Sequence, residues 1–254
     1  MNNILEFLEA TAARLPDQTA VIDEHGACCW HELMAYSQSA GTALAARLSP
    51  RTPVPVLMEK GRYALYAFFG AVQAGCFYVP LNPALPQPRL RQVLDVLDAP
   101  LLITDRDHAG LAAQLCPEGT VLLAEDLIQT PPDPAALARI RDGMTDSDPL
   151  YCLFTSGSTG TPKGVVIRHR SVLSFIPAFT GLFGIGENDV IGNQAPFDFD
   201  VSVKDIYAAL YTGAALVVIP RQLFSQPAAL MDFLCRHRVT SLTWAVSALC
   251  LVSA

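Results

Sequence analysis

The sequence predicts an α/β protein with mostly parallel, doubly wound sheets arranged in two lobes. From about residue 54 onward, short apolar segments such as PVPVLM, PLLIT and TVLLA alternate with helical patterns. This alternation is typical of parallel strands that are joined by crossover helices. With 254 residues, 51% of them hydrophobic and only 16% charged, the chain can bury a large core.

The first lobe is predicted to span residues 1–128. It begins with an amphipathic helix in MNNILEFLEATAARL, where Asn3 is placed as the N-cap and Glu6 as its capping-box partner. The segment RYALYAFFGAVQAG is predicted to be a helix that ends at Gly75. RLRQVLDVLDA is a second helix, because its apolar residues recur at helical spacing.

A proline-rich segment at 129–149 interrupts the pattern. It contains four prolines and several acidic residues. Such composition is typical of an exposed connection, here with a short helix near 135–141. The second lobe is then predicted to span 150–254, with ligands bound at the carboxyl ends of its strands.

The pattern resumes in the second lobe, again without an internal repeat. Its predicted helices are SVLSFIPAFTGLF, VSVKDIYAALYTG and PAALMDFLCRHR, and its predicted strands are LYCLFT, GVVIRH, DVIGNQ, ALVVIP and SLTWAV. The chain ends in SALCLVSA, which resembles the start of another helix.

Composition argues against several classes of function. The net charge of −7 argues against a nucleic-acid surface, and no apolar run reaches the ~18 residues that span a bilayer. The N-terminus is acidic rather than basic, unlike a signal peptide. Seven scattered cysteines without a CxxC motif are typical of reduced thiols in a cytoplasmic protein. His169 is predicted to face solvent at the start of a helix, and no His/Cys cluster has metal-site spacing.

The segment 150–164, LYCLFTSGSTGTPKG, is the most informative in the chain. An apolar strand leads into a loop of hydroxyls and glycines and then into one lysine, Lys163. Glycines let backbone N–H groups approach a ligand, and hydroxyls add further donors, so the loop is suited to polyphosphate. It is not a Walker A motif, because Pro162 stands where that motif needs glycine. On composition alone, a flexible surface turn is the alternative.

TSGSTGTPKG resembles the phosphate loop of the adenylate-forming superfamily, which includes acyl-CoA synthetases and the adenylation domains of nonribosomal peptide synthesis. CWHEL at 29–33, AVQAGCFYVPLN at 71–82 and APFDFDVSVKDIY at 195–207 resemble further segments of adenylation domains, in the same order. The resemblance implies that the loop binds ATP, with Lys163 and Thr155 as catalytic residues. The phosphate-binding residues that it implies are Thr155, Ser156, Gly157, Ser158, Thr159, Gly160 and Lys163.

The resemblance also implies Mg²⁺, which would arrive with ATP. Members of the superfamily are usually longer than this chain and carry a mobile C-terminal domain with a further lysine. We therefore expect the chain to be an N-terminal fragment that lacks this lid and the acidic magnesium ligand. We expect such a fragment to be inactive on its own.

Asp200 has two interpretations on residue chemistry alone. It can cap the helix predicted after it, or it can bind the α-ammonium of an amino acid. FDVSV at 199–203 matches the family pattern in which this Asp takes the ammonium role, which favours the second. Asp198 is the alternative carboxylate, since residues two apart on a strand share a face, but we expect it in a turn or on the surface.

Three further residues are predicted to contact the substrate: Val201, Lys204 and Ser247. For Lys204, three roles stay open: contact with an acidic substrate, pairing with Asp200, or exposure to solvent. Val201 is the expected uncharged wall. Ser247 lies in TWAVSAL, which resembles the segment that closes the pocket, although this chain lacks the prolines that are common there. Trp244 in the same segment fits either substrate contact or core packing.

The resemblance therefore implies an amino-acid ligase that forms an aminoacyl-AMP and releases pyrophosphate. The amino acid would be small and neutral, such as proline or alanine, and the acyl group would pass to the phosphopantetheine thiol of a carrier protein. One alternative is an acyl- or aryl-acid CoA ligase, in which Asp200 would have no ammonium to bind. The other is a non-catalytic module for nucleotide binding or docking.

Overall fold

The computed structural model describes residues 1–155 and 161–253. The strands of this part are β1 Thr19–Asp23, β2 Gly26–Cys29, β3 Pro53–Leu57, β4 Phe77–Leu81, β5 Leu101–Thr104, β6 Thr120–Leu123, β7 Pro149–Thr155, β8 Lys163–Arg168, β9 Val190–Asn193 and β10 Ala215–Val218. Its α-helices are α1 Leu5–Arg14, α2 Trp30–Ala45, α3 Arg62–Gln73, α4 Gln87–Leu97, α5 Ala109–Leu115, α6 Ala124–Leu127, α7 Pro134–Asp142, α8 His169–Phe183, α9 Val201–Thr212, α10 Pro227–Arg236 and α11 Val246–Ser253. A 3-10 helix covers Arg221–Ser225.

The strands form two sheets in which parallel pairing predominates, so the predicted fold class is confirmed. The smaller sheet has the order β2-β1-β10-β9 and the larger one β6-β5-β3-β4-β7-β8. Only β2 and β8, each at the edge of its sheet, pair antiparallel with their neighbours among these strands. The hydrophobic runs of the inner strands follow from this arrangement, because both faces of a parallel sheet are covered.

Each sheet takes strands from both sides of the proline-rich segment 129–149. In the larger sheet β4 pairs with β7, and in the smaller sheet β1 pairs with β10, where Val21 lies opposite Leu216. The strand pairing therefore does not follow the predicted division into lobes 1–128 and 150–254. Parallel pairing of this kind joins segments that are distant in sequence, and local patterns do not reveal it.

Two helices occupy the space between the sheets. Every residue of α3 from Ala64 to Gln73 is buried, and so are most residues of α9. The hydroxyls of Tyr78 in β4 and Tyr207 in α9 share a hydrogen bond of 2.7 Å and are both buried. This bond connects the larger sheet to the helix that follows residue 200, so the core fixes α9 against both sheets.

Most of the local predictions are confirmed. The helix expected near 135–141 is α7, and the carboxylate of Asp133 caps it by accepting from the N–H of Ala136 (2.9 Å). Gly75 takes φ +70° directly after α3, as a helix-ending glycine does. At the N-terminus the prediction of Asn3 as N-cap is wrong by one residue, since Ile4 is the N-cap of α1. Asn3 still accepts from the N–H of Leu5 (3.1 Å), and its own N–H donates to Glu6 (3.3 Å).

The strand predicted for SLTWAV is wrong. Only Ser241 forms a bridge, to Ile191, and the following residues are irregular up to α11. Backbone hydrogen bonds join residues 240 and 241 to Val190 and Gly192. Side chains add two contacts: Oγ1 of Thr240 accepts from the N–H of Val190, and Nε1 of Trp244 donates to the carbonyl of Gly192. Trp244 is therefore a core residue, which decides between its two predicted roles.

The expectation that His169 faces solvent is also wrong, since its side chain is fully buried. Its Nδ1 accepts from the N–H of Ile4 (3.1 Å), so it connects the start of α8 to the start of α1. Burial lowers the pKa of His169 to about 4. None of the helices in the described part of the chain is long and apolar enough to cross a membrane.

Candidate functional site

The predicted phosphate loop lies at the tip of the β7–β8 hairpin. Residues 156–160 fall outside the described part of the chain, so the predicted contacts of Ser156, Gly157, Ser158, Thr159 and Gly160 do too. Thr155 and Lys163 flank this tip and face each other across the hairpin. The hydroxyl of Thr155 donates to the carbonyl of Lys163 at 3.4 Å. The structure thus brings the two predicted catalytic residues together, with both residues exposed.

Gly164 is required at the hairpin by close packing and not by its backbone conformation. It does not take a positive φ angle. A β-carbon added to Gly164 would instead lie 2.8 Å from Sγ of Cys152 and 3.2 Å from the ring of Phe154. Close packing between the two strands therefore excludes a side chain next to Lys163.

A second cation reaches the base of the loop. Nη2 of Arg89, in α4, donates to the carbonyl of Thr155 at 2.9 Å. Sequence reasoning missed Arg89, because its helix lies about 70 residues before the loop and only the fold brings them together. The guanidinium of Arg89, the ammonium of Lys163 and the hydroxyl of Thr155 are donors of the kind that bind phosphate oxygens. The described residues at this hairpin therefore fit ATP.

Asp200 ends the turn 194–200, which leads from β9 into α9. It occupies the N-cap position of α9, but its backbone is already helical and its side chain makes no capping hydrogen bond. Its carboxylate is exposed. Asp200 therefore does not cap α9 in this structure, and its carboxylate is free to contact a ligand.

Asp200 lines an open groove of about 340 Å³. Tyr151 from β7 and Ile167 from β8 also line it, as does α8, and Val201 and Lys204 line it on the same helix end as Asp200. Burial, and secondarily the charge of Asp200, raises the pKa of Tyr151 to about 12. Tyr151 and Ile167 belong to the hairpin that carries the phosphate loop, and four residues of a strand separate Tyr151 from Thr155, or about 13 Å. A single ligand can therefore span from the groove to the hairpin tip.

Lys204 lines the groove but neither pairs with Asp200 nor extends into solvent, so two of its three predicted roles are wrong, and contact with an acidic substrate stays a prediction. Its Nζ donates to the carbonyl of Val201 and to Oδ1 of Asp205, each at 3.0 Å. The i,i+4 pairing with Asp200 is absent because Asp205, the next residue on α9, is buried and closer at hand. Val201 lines the groove as its predicted role requires. Ser247 lies in α11, and its side chain is outside the described part of the chain.

Asp198 lies in the same turn but lines a different cavity, one of about 510 Å³. Nδ2 of Asn82 donates to its carboxylate at 3.4 Å, and burial raises its pKa. The expectation of a turn residue is confirmed, while a shared face with Asp200 is excluded because the segment is a turn rather than a strand. The carboxylates of Asp198 and Asp200 therefore line different cavities.

Behind the turn lies a polar network that sequence reasoning also missed. Nζ of Lys60 donates to the carbonyl and the side-chain oxygen of Asn193 and to the carbonyl of Gln194, at 2.9–3.2 Å. Nδ2 of Asn193 donates to Asp205, which is almost fully buried. Burial lowers the pKa of Lys60 to about 8, although nearby carboxylates, first that of Asp205, oppose the shift. No local signal in the sequence links Lys60 to residues 193–205.

Among residues 1–155 and 161–253, no group of three or more His, Cys, Asp or Glu side chains is arranged to hold a metal ion.

Comparison with known proteins adds to this geometry. A sequence model of a family described as AMP-binding enzyme matches residues 8–251. The D-alanine–D-alanyl carrier protein ligase of Staphylococcus aureus is 31% identical over 235 residues, which are 92% of this chain and 46% of the ligase.

A linear gramicidin synthase protein of Brevibacillus parabrevis is 30% identical over 97% of this chain and 3% of its own length. The chain thus spans less than half of the length of these relatives. Among solved structures, a nonribosomal peptide synthetase, FmoA3 (S1046A), in its α-methyl-L-serine-AMP bound form superposes with a TM-score of 0.87 at 28% identity. That match covers 98% of this chain and 27% of FmoA3.

Proposed function

Since the chain belongs to the AMP-binding enzyme family, we propose that it is part of a ligase that adenylates an amino acid with ATP. One observation supports this more than any other: Asp200 lines a groove that is also lined by Tyr151 and Ile167 of the hairpin that presents Lys163. An ammonium site and a phosphate site then lie at the two ends of one ligand. The relatives include an aminoacyl-carrier ligase and a gramicidin synthase, which agrees with amino-acid activation.

In the proposed reaction the substrate carboxylate attacks the α-phosphorus of ATP. A new P–O bond forms, the bond to the β-phosphate oxygen breaks, and pyrophosphate leaves with that electron pair. Lys163 stabilises the charge that develops on the phosphates, and Thr155 donates a hydrogen bond. Asp200 holds the α-ammonium, which orients the carboxylate for attack. When bound with ATP, Mg²⁺ would neutralise phosphate charge.

The groove favours a small neutral side chain, such as that of proline or alanine. Its walls are mostly apolar, with Tyr151, Ile167 and Val201 among them. Lys204 lines the groove but is already paired with Asp205, so an acidic substrate would compete with Asp205 for it. An acidic amino acid would also bring a second carboxylate close to Asp200.

We further propose that the aminoacyl group passes to a carrier protein. The thiol of its phosphopantetheine would attack the acyl carbon, and a thioester forms as AMP leaves. The similarity to the D-alanyl carrier protein ligase supports this step, because that relative is named for a carrier protein.

The test is amino-acid-dependent exchange of pyrophosphate into ATP by the full-length protein. Proline, alanine and other small amino acids should stimulate exchange, and the matching acids without an α-amino group should not. Asp200→Ala should remove this dependence, whereas Asp198→Asn, which alters the carboxylate of the other cavity, serves as the matched control. Stimulation by the deaminated acids alone would instead identify an acyl- or aryl-acid CoA ligase.

The third possibility is a non-catalytic module. Residues 1–254 prepared alone should bind nucleotide weakly and give no exchange, because they match less than half of the length of the related carrier protein ligase. Absence of exchange from the full-length protein with every amino acid and every carboxylic acid tested would favour such a module. Exchange by residues 1–254 alone would contradict our expectation for the isolated chain.

A further inference from the structure

The turn that carries Asp200 is closed at both of its ends by one buried network. At its beginning, Asn193 is fully buried and Nζ of Lys60 donates to its carbonyl (3.1 Å) and its Oδ1 (3.2 Å). A third bond from Nζ reaches the carbonyl of Gln194 (2.9 Å). An ammonium has three N–H donors, so these acceptors use all of them. Lys60 follows β3 of the larger sheet, and Asn193 ends β9 of the smaller one.

The far end of the turn belongs to the same network. Nδ2 of Asn193 donates to Oδ2 of Asp205 (3.1 Å), and Asp205 lies in the second turn of α9, five residues after Asp200. This bond closes the segment 193–205 into a loop. In its middle, Phe197 is buried and its ring lies 5.9 Å from that of Phe68. The backbone that leads to Asp200 is therefore held at three points.

Asp205 also connects the turn to the next segment of the groove. Its Oδ1 accepts from Oγ1 of Thr243 and from Nζ of Lys204, each at 3.0 Å. Thr243 lies three residues before α11, the helix that contains Ser247. The residues proposed to bind the amino acid thus stand on segments that share one buried carboxylate.

We propose that Lys60 is a positioning residue: through Asn193, Gln194 and Asp205, its ammonium fixes the turn 194–200 so that Asp200 faces the amino-acid groove. This inference rests on the proposed function. Lys60 lines the cavity of Asp198 and not the groove of Asp200. It therefore acts on Asp200 only through the residues that it binds, Asn193 and Gln194. A shift of about 1 Å in a substrate-orienting group can lower the reaction rate about 10²-fold. A cation that positions Asp200 from a distance can therefore have an effect of this size on the rate.

The experiment measures separate KM values for the amino acid and for ATP in the exchange reaction of the full-length protein. Lys60→Met should raise the KM for the amino acid about 10-fold or more, by the same misplacement of the ammonium site. The KM for ATP should stay within about twofold, because Thr155 and Lys163 stand on the hairpin and not on the turn. Lys60→Arg keeps the charge and should restore part of the amino-acid affinity.

Thr243→Val removes one bond to Asp205 with almost no change in shape. We expect its KM for the amino acid to rise about threefold to tenfold, the value of one hydrogen bond. Thr240→Val is the matched control. Thr240 lies on the same segment and donates to another carboxylate, Asp189, but at the opposite end of β9 from the turn. Its KM values should equal those of the wild type.

A folded Lys60→Met protein with unchanged KM for the amino acid, or with both KM values raised equally, would overturn the inference. If Lys60→Met does not fold, equal KM values in Thr243→Val and Thr240→Val overturn it instead. The amino-acid dependence of the wild-type protein distinguishes a failure of this inference from a failure of the proposed function. A wild type without amino-acid dependence refutes the proposed function, and the positioning role with it.

Discussion

The two ends of the candidate site are built in opposite ways. The turn that presents Asp200 is backed by buried polar side chains from several elements, including Lys60, Asn193 and Asp205. The hairpin that presents Lys163 consists of a two-stranded ladder in which nearly all residues of β8 are exposed. Its described side-chain contacts at the tip are those of Thr155 with Lys163 and with Arg89.

This difference fits the two tasks. Selecting one amino acid requires a carboxylate at a fixed place, and buried networks give such rigidity when every member is satisfied. Phosphates are common to every ATP, and they are held by many donors that adjust around them. We therefore expect mutations in the network to change stability and amino-acid recognition, and mutations in the hairpin to change catalysis.

The largest expected effect tests the network. Asp205→Ala removes the carboxylate that binds Lys204, Asn193 and Thr243, and it leaves their buried polar groups without a partner. We expect the free energy of unfolding to fall by about 3–5 kcal/mol in urea denaturation. Asp189→Ala, at the exposed end of β9, is the control and should cost about 1 kcal/mol. Equal losses would remove the distinction between the two regions.

The next effect tests the hairpin. Lys163→Met should lower kcat for pyrophosphate exchange by about 10²–10³-fold, as expected for a donor to developing charge. Because Lys163 is exposed, its loss should change the free energy of unfolding by less than about 0.5 kcal/mol. Arg168→Met removes a cation at the other end of β8 and should leave kcat unchanged. A large loss of stability in Lys163→Met would contradict the comparison.

A smaller effect tests the close packing of the hairpin. Gly164→Ala places a methyl group 2.8 Å from Sγ of Cys152. We expect the free energy of unfolding to fall by about 1–3 kcal/mol. Gly181→Ala is its matched control, because a β-carbon there has no neighbour within 4 Å. Because Gly181 lies in the helix α8, Gly181→Ala should raise the free energy of unfolding by about 0.5–1 kcal/mol. Thermal unfolding of both variants measures the difference, and equal shifts would refute the packing argument.

The smallest effect concerns a third buried polar contact, outside both regions. The folded pKa of His169, about 4, is below the usual 6.5, so the unfolded chain takes up this proton first as pH falls. Stability from His169 is therefore present above pH 6.5 and is lost as pH falls from 6.5 to 4. The expected loss is roughly 1 kcal/mol per pH unit.

His169→Gln should remove that part of the pH dependence in urea denaturation between pH 7.5 and 5. His31→Gln, at an exposed histidine, is the control and should keep the wild-type slope. The charged groups near His169 are Asp148, Asp146 and Arg141. Identical slopes for all three proteins would show that burial of His169 does not control its titration.

The sequence was most informative where structure is local. Helix ends, the hairpin strands and the turn before α9 follow from glycines, caps and apolar periodicity, as at Gly75 and Asp133. Thr155 and Lys163 are recognisable from the sequence because they lie only eight residues apart, within one continuous segment. The pairing of strands across residues 129–149 was not predictable, because parallel partners carry no complementary local pattern.

The remaining parts of the site depend on contacts between distant residues. Lys60 lies 133 positions from Asn193, and Arg89 lies 66 positions from Thr155. The position of His169 at a helix start, without a partner nearby in sequence, indicates a surface residue, yet the start of α1 bonds to it. The bond of Lys204 to Asp205 is not evident from the sequence, since the burial of Asp205 cannot be deduced from its position in a helix.

The most direct measurement is a crystal structure of the full-length protein with a non-hydrolysable analogue of a prolyl- or alanyl-adenylate. We predict that the α-ammonium lies about 2.7–2.9 Å from the carboxylate of Asp200, the distance of a charge-assisted hydrogen bond. The adenylate phosphate should lie toward the hairpin tip between Thr155 and Lys163. An ammonium bound in the cavity of Asp198, or an Asp200 turned away from it, would contradict the proposed amino-acid site.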